Sequence, residues 1–160
     1  MILQKALFIS LDDTLITTRT GRPFPVHSKD WRFIDKTLDL VEYHIKHGYK
    51  IVIATNQGGI EEGYLTERLV TDKLTAVCEA MELYLSLKKG VISYLLHPKT
   101  AGYSHKPNPG MAFDAAVEYE LNLRKSVMVG SMPSDQEFAY NAGMDEYIDV
   151  SEIDNYEWIK

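Results

Sequence analysis

Short apolar runs alternate with longer stretches of helical periodicity along this chain. Ala6–Ile9 is a continuous apolar run of strand length, suited to burial on both faces. Over residues 33–47, Ile34, Leu38, Val41 and Ile45 recur at helical spacing, and Gly48 supplies a stop. Tyr49–Thr55 reads as a second buried strand. Thr66 caps a helix that carries Val70, Leu74, Val77, Met81 and Leu85 on one face. Val91–Leu96 is a third strand. Pro109–Leu121 is a helix with proline at its first position. Ser126–Gly130 is a fourth strand, Asp135–Ala142 a short helix and Glu146–Val150 a candidate fifth strand.

Strand and helix in alternation predict an α/β three-layer sandwich with a mostly parallel, Rossmann-like sheet. Ligands in such sheets sit at the carboxyl ends of the strands. Polar clusters fall at three of those ends: Ser10–Thr14, Thr55–Gln57 and Ser131–Asp135. A fourth cluster, Ser104–Gly110, precedes a helix. A site where these clusters meet follows from the pattern alone.

The bulk numbers narrow the class. A chain of 160 residues suits one domain, taken as residues 1–160. With 45% hydrophobic and 25% charged residues it reads as a soluble globular protein. No run is long enough to span a membrane and no secretory leader is legible. The one cysteine, Cys78, rules out an intrachain disulfide and a cysteine-based zinc cluster. A cytoplasmic setting is the default expectation. A net charge of −6 argues against a broad basic surface that coats nucleic acid. It leaves room for a local grip on a nucleic-acid end.

The clusters resemble the four motifs of the haloacid dehalogenase-like phosphatases, in order. Ser10-Leu11-Asp12-Asp13-Thr14-Leu15 stands where that family has Asp-x-Asp-x-Thr-[Leu/Val]. Thr55 fits the second motif and Lys106 in "KPNPGM" the third. "MVGSMPSD" places Ser131 and Asp135 at the two acid positions of the fourth. The closer resemblance is to the 3′-phosphatase domain of polynucleotide kinase/phosphatases. It rests on "LDDTLITTRTGRPFPVHSKDWR" (Leu11–Arg32) and "TNQGGI" (Thr55–Ile60). No kinase phosphate loop is present, and no insertion long enough for a cap domain. A capless, open site suits a bulky substrate such as a nucleic-acid end.

The resemblance implies a catalytic set of Ser10 at the nucleophile position, Asp12, Thr55 and Lys106. It implies Asn56, Gln57, Arg19 and Arg22 on the substrate side. It implies Mg²⁺ held by Ser10, Asp12 through its carbonyl, Ser131 and Asp135. In the family the first aspartate attacks phosphorus and the second acts as acid and then base. Here Ser10 and Ser131 replace two carboxylates. Serine without an adjacent base is a poor nucleophile, and Mg²⁺ prefers carboxylate oxygen. Little or no turnover and weakened or absent Mg²⁺ binding are therefore expected. Thr55 and Lys106 can still cradle a phosphate, with less repulsion than before. Decay into a binding relative, deliberate silencing and a serine nucleophile with altered metal use all lead to these serines.

The expected ligand is a 3′-phosphorylated nucleic-acid end, with a separate kinase or repair partner left open. A non-catalytic phosphate-end binder or regulatory pseudophosphatase is the rival, and a small-metabolite phosphatase of the same fold a weaker one. Arg19, Arg22, Lys29 and Arg32 form a local basic run, either a solvated loop or a flap that meets a backbone. Trp31 is read as core more than as a base-stacking platform. His44 and His47 are read as surface residues, and His97 and His105 as loop residues beside the third motif. Cys78 is read as core packing, and Gly58-Gly59 as a turn.

Overall fold

The computed structural model describes residues 2–23 and 25–156. Phe24, half of the quoted Phe-Pro element, lies outside the described residues.

Among the described residues, seven strands and five α-helices follow one another. Strand β1 (Ala6–Ile9) is followed by a small hairpin of β2 (Ile16–Thr17) and β3 (Arg32–Phe33). Next come helix α1 (Asp35–Lys46), strand β4 (Lys50–Asn56), and helices α2 (Gly59–Glu62) and α3 (Glu67–Tyr84). Strand β5 (Ser93–His97), helix α4 (Gly110–Tyr119) and strand β6 (Val127–Gly130) continue the alternation. Helix α5 (Pro133–Asn141) and strand β7 (Glu146–Asp149) complete it.

The main sheet is five-stranded, in the order β5-β4-β1-β6-β7, and every pairing in it is parallel. The chain works outward from β1 in one direction and then returns to work outward in the other. Right-handed crossovers therefore put the first helices on one face and the later ones on the other. The period-2 alternation of β1 shows the division. Leu7 and Ile9 pack with Val41 of α1 and with Val70, Leu74 and Val77 of α3. Ala6 and Phe8 pack with Ala112 of α4 and Phe138 of α5. All four β1 residues are fully buried. Each large apolar side chain so buried contributes about 1.5–3 kcal/mol of transfer free energy. Among the described residues no helix is long and apolar enough to cross a membrane.

The element boundaries differ from the sequence reading in small, explicable ways. Pro109 is the N-cap of α4 rather than its first residue. Helix α5 begins at Pro133, before Asp135. Gly58-Gly59 does not simply turn; Gly58 is the N-cap of α2. Thr66 caps α3 as expected, its hydroxyl accepting the Leu69 N–H at 3.1 Å. Cys78 is buried in the core, and burial pushes its thiol pKa up to about 12.

The expectation for His44 is corrected. It is 2% exposed, not a surface residue. The buried stripe of α1 runs through Thr37, Leu40, Val41 and His44. His44 Nδ1 meets the Leu40 carbonyl at 2.8 Å, and its ring meets the edges of Tyr43 and Tyr49. The ring thus hides its apolar body while satisfying one nitrogen locally. Burial pulls its pKa below the ordinary value, with smaller contributions from His47 and Lys5. His47 is exposed, as expected.

Candidate active site

Three parallel strands, β1, β4 and β6, end side by side at the point where the sheet order reverses. In such sheets that is the ligand-binding crevice. A cavity of about 240 Å³ opens there. Its walls include Ser10, Asp12, Thr55, Asn56, Lys106, Ser131 and Asp135. The structure therefore brings these seven candidate residues together from four separate segments of the chain. A larger groove of about 430 Å³ lies between α5 and β7 and holds none of them.

After β1 the chain winds through one tight turn. The Leu11 carbonyl accepts the N–H groups of Leu15 and Ile16, and Asp13 N–H donates to the Ile16 carbonyl at 2.7 Å. Asp13 takes a φ of +60°, a left-handed conformation that Asp adopts more readily than most residues. The turn buries Leu11, Thr14, Leu15 and Ile16 and leaves Asp12 half-exposed at the cavity. Among the described residues, no protein acceptor takes the Leu11 and Asp12 N–H groups.

Ser10 is 5% exposed, and its Oγ lies 2.5 Å from the Thr14 hydroxyl. Thr14 is not a base, and no carboxylate or imidazole is hydrogen-bonded to the Ser10 hydroxyl. Asp12 is tied at both oxygens. Gln57 Nε2 donates to Oδ2 at 2.8 Å, and Lys73 Nζ lies 3.4 Å from Oδ1. The same Gln57 amide donates to the Thr55 hydroxyl at 2.8 Å. Gln57, expected on the substrate side, is buried and braces Asp12 against Thr55. Asn56 holds the third-motif loop: its amide donates to the Lys106 carbonyl at 3.1 Å and accepts the Lys106 N–H at 3.0 Å.

Lys106 is buried. Its ammonium donates to the Ala54 carbonyl at 2.9 Å and to Asp135 Oδ1 at 2.6 Å. Asp135 Oδ2 accepts the N–H groups of Ser131 (3.0 Å) and Met132 (3.1 Å) at the start of α5. The close approach requires glycine at 130, where a Cβ would stand 2.4 Å from the Asp135 Cβ.

The flap between β2 and β3 is pinned by Asp30, which is 1% exposed. It accepts Thr20 N–H at 3.0 Å, the Thr20 hydroxyl at 2.9 Å and Val26 N–H at 3.0 Å. Desolvation pushes its carboxyl pKa up, but these hydrogen bonds outweigh it and hold the pKa below the ordinary value. Arg19 is exposed and donates from Nε to the Trp31 carbonyl at 2.7 Å. Arg22, Lys29 and Arg32 are exposed on the same flap. Trp31 is half-buried, packed against the core and set edge-on to Phe33. His97 and His105 face each other beside the loop, ring centroids 5.5 Å apart.

Lys73 escaped the sequence reading. It sits on α3 between Val70 and Leu74 and is 1% exposed. A lysine inside the apolar stripe of an amphipathic helix was the available signal.

The donor set can be tested against Mg²⁺. That ion demands near-octahedral oxygen ligands, normally including one or two carboxylates. Among the described residues no group of three His, Cys, Asp or Glu converges. Asp135 is engaged by Lys106 and two N–H groups, and Asp12 is turned to Gln57 and Lys73. Hydroxyls stand at positions 10 and 131. These residues do not fit a resident magnesium ion.

The sequence profile described as polynucleotide kinase 3 phosphatase matches residues 5–148. The chain belongs to this family of haloacid dehalogenase-like phosphatases. It is 29% identical over 150 residues to D-glycero-alpha-D-manno-heptose-1,7-bisphosphate 7-phosphatase of Campylobacter jejuni, covering 92% of this chain and 83% of that one. Among solved structures it resembles a haloacid dehalogenase-like phosphatase from Mesorhizobium loti, with a TM-score of 0.78 and 21% identity. That match covers 96% of this chain and 84% of the other. It also resembles the D,D-heptose 1,7-bisphosphate phosphatase of B. bronchiseptica, complexed with magnesium and phosphate, with a TM-score of 0.71 and 22% identity. That match covers 90% and 79% of the two chains. At these identities the structural likeness speaks for the family's fold.

Proposed function

We propose that this chain binds a phosphomonoester end on a phosphatase scaffold without turning it over, and that the end is a 3′-phosphorylated polynucleotide. The observation that carries the loss of turnover is the environment of Ser10. Its hydroxyl is paired with Thr14, no base adjoins it, and the nearest acid in sequence, Asp12, is held by Gln57 and Lys73. An oxygen nucleophile of that kind has no route to activation. The cradle survives. Thr55, Lys106 and the Leu11 and Asp12 N–H groups lie at a cavity with ample room for a phosphate. A run of exposed cations, Arg19, Arg22, Lys29 and Arg32, follows the first-motif turn in a chain of net charge −6. Local cations on a chain with an open phosphate cavity suit a polyanion whose end enters that cavity.

A second reading has its own support. The relatives named above are heptose bisphosphate phosphatases, so the ligand is a sugar phosphate in that reading. One experiment separates the two. Phosphate release is measured with Mg²⁺ from a 3′-phosphorylated oligonucleotide and from a heptose bisphosphate, on this chain and on Ser10→Asp/Ser131→Asp. Turnover of the oligonucleotide by the restored protein alone is expected. Turnover of only the sugar phosphate moves the chain to the second reading. Turnover by the chain as it stands overturns the account of Ser10.

A further inference from the structure

Each carboxylate lining the cavity has its own buried ammonium. Lys106 Nζ lies 2.6 Å from Asp135, the two side chains 5% and 2% exposed. Lys73 Nζ lies 3.4 Å from Asp12, with Lys73 itself 1% exposed. The two carboxylates lining the cavity and their two ammonium partners therefore sum to zero charge before any ligand enters. Carboxylates at positions 10 and 131 would bring the sum to −2, the charge a divalent cation cancels. With serine at both positions there is nothing for such a cation to neutralise.

We propose that the site binds a phosphomonoester dianion independently of any divalent cation, with Lys73 and Lys106 cancelling the two carboxylates that would otherwise repel it. The inference rests on the phosphate-cradle reading and adds what governs occupancy. An ammonium has three N–H donors. Lys106 gives one to Ala54 and one to Asp135, and the third remains for an anion in the cavity it lines. The Ser10 and Thr14 hydroxyls share one hydrogen bond between them. When Thr14 donates, the Ser10 proton is free to point at a phosphate oxygen. Lys73 touches no ligand. It is a positioning residue that neutralises Asp12, so that Asp12 does not repel the dianion.

The test is calorimetric titration of inorganic phosphate and of a 3′-phosphorylated oligonucleotide into the full chain, once with EDTA and once with Mg²⁺. Dissociation constants within about twofold of each other in the two buffers are expected. In Ser10→Asp/Ser131→Asp, binding in EDTA should weaken at least about tenfold and recover with Mg²⁺. A native chain that needs Mg²⁺ for a tenfold or larger part of its affinity overturns the inference and leaves the cradle reading standing. Absence of binding by both probes in both buffers overturns the two together. The native chain alone decides these outcomes, whether or not the double variant folds.

Discussion

Replacing Lys106 by methionine removes the cation of the most buried ion pair in the described chain. Its partner Asp135 is 2% exposed and 2.6 Å away. Deleting one member of such a pair typically costs about 3–5 kcal/mol, because the other is left charged without water. Asp135 keeps two backbone N–H donors, from Ser131 and Met132. Those bonds place the expected cost at the lower end, about 3 kcal/mol. For a domain of this size that is a drop of about 6–12 °C in Tm. Asp135→Asn keeps an acceptor for the two N–H groups and removes the charge. In the double variant Lys106→Met/Asp135→Asn nothing charged is stranded, so about 2 kcal/mol of the summed single costs should return. Urea unfolding of the native protein, both singles and the double measures that coupling. Additivity within about 0.5 kcal/mol would refute the claim that the two charges compensate each other.

Gly130→Ala forces the Asp135 side chain to move, since a Cβ would meet its Oδ2 at 2.6 Å. A loss of about 2 kcal/mol and weaker phosphate binding are expected, and an unchanged melt would show that the carboxylate has room to spare. For His44 the folded pKa lies below the unfolded value, so the unfolded chain takes up the proton first. Its contribution to stability is complete above about pH 6.5 and declines as pH falls toward the folded pKa; His44→Phe should flatten that part of a stability-versus-pH curve, and a curve of unchanged shape speaks against it. Asp30→Ala removes the acceptor of the Thr20 and Val26 N–H groups and should loosen the flap. Limited trypsin digestion at Arg19 and Lys29 reads this directly, and equal cleavage rates in both proteins would contradict it.

The sheet was legible because its inner strands are buried on both faces. Runs such as Ala6–Ile9 and Ile51–Ala54 have no polar interruption, and a parallel α/β order follows from their alternation with helices. The strand-end clusters were legible for the same reason, since a polar residue directly after a buried strand marks the carboxyl edge. What stayed hidden depends on tertiary geometry. Strands β2 and β3 are two residues each, too short for any periodicity, and exist because Ile16 and Phe33 pair across the flap. The segment Val150–Asn155 is anchored by the partly buried Val150 and by Ile153, whose full burial in the core no local pattern announces. His44 and Lys73 are polar residues on buried helix faces. Each is tolerated because one specific partner, the Leu40 carbonyl or Asp12, stands within reach. Gln57 read as a residue facing a ligand, and its burial followed only once Thr55 and Asp12 were seen on either side of it.

That satisfaction bears on what the two serines mean. A carboxylate at position 10, where the side chain is 5% exposed, would be a desolvated charge needing a cation or several donors. A site that had merely lost its acids would keep the remainder of a metal shell, with oxygens facing an ion that no longer binds. Buried polar atoms left in that way cost about 1–3 kcal/mol each. Among the described residues no buried side-chain nitrogen or oxygen lacks a partner. Ser10 is closed onto Thr14, Asp135 onto Lys106 and the start of α5, and Asp12 onto Gln57 and Lys73. Ser10, Asp12 and Asp135 are thus closed onto protein partners rather than left facing an absent ion, and Lys106 stands in the cavity wall beside them. That arrangement supports the proposal that the site receives an anion.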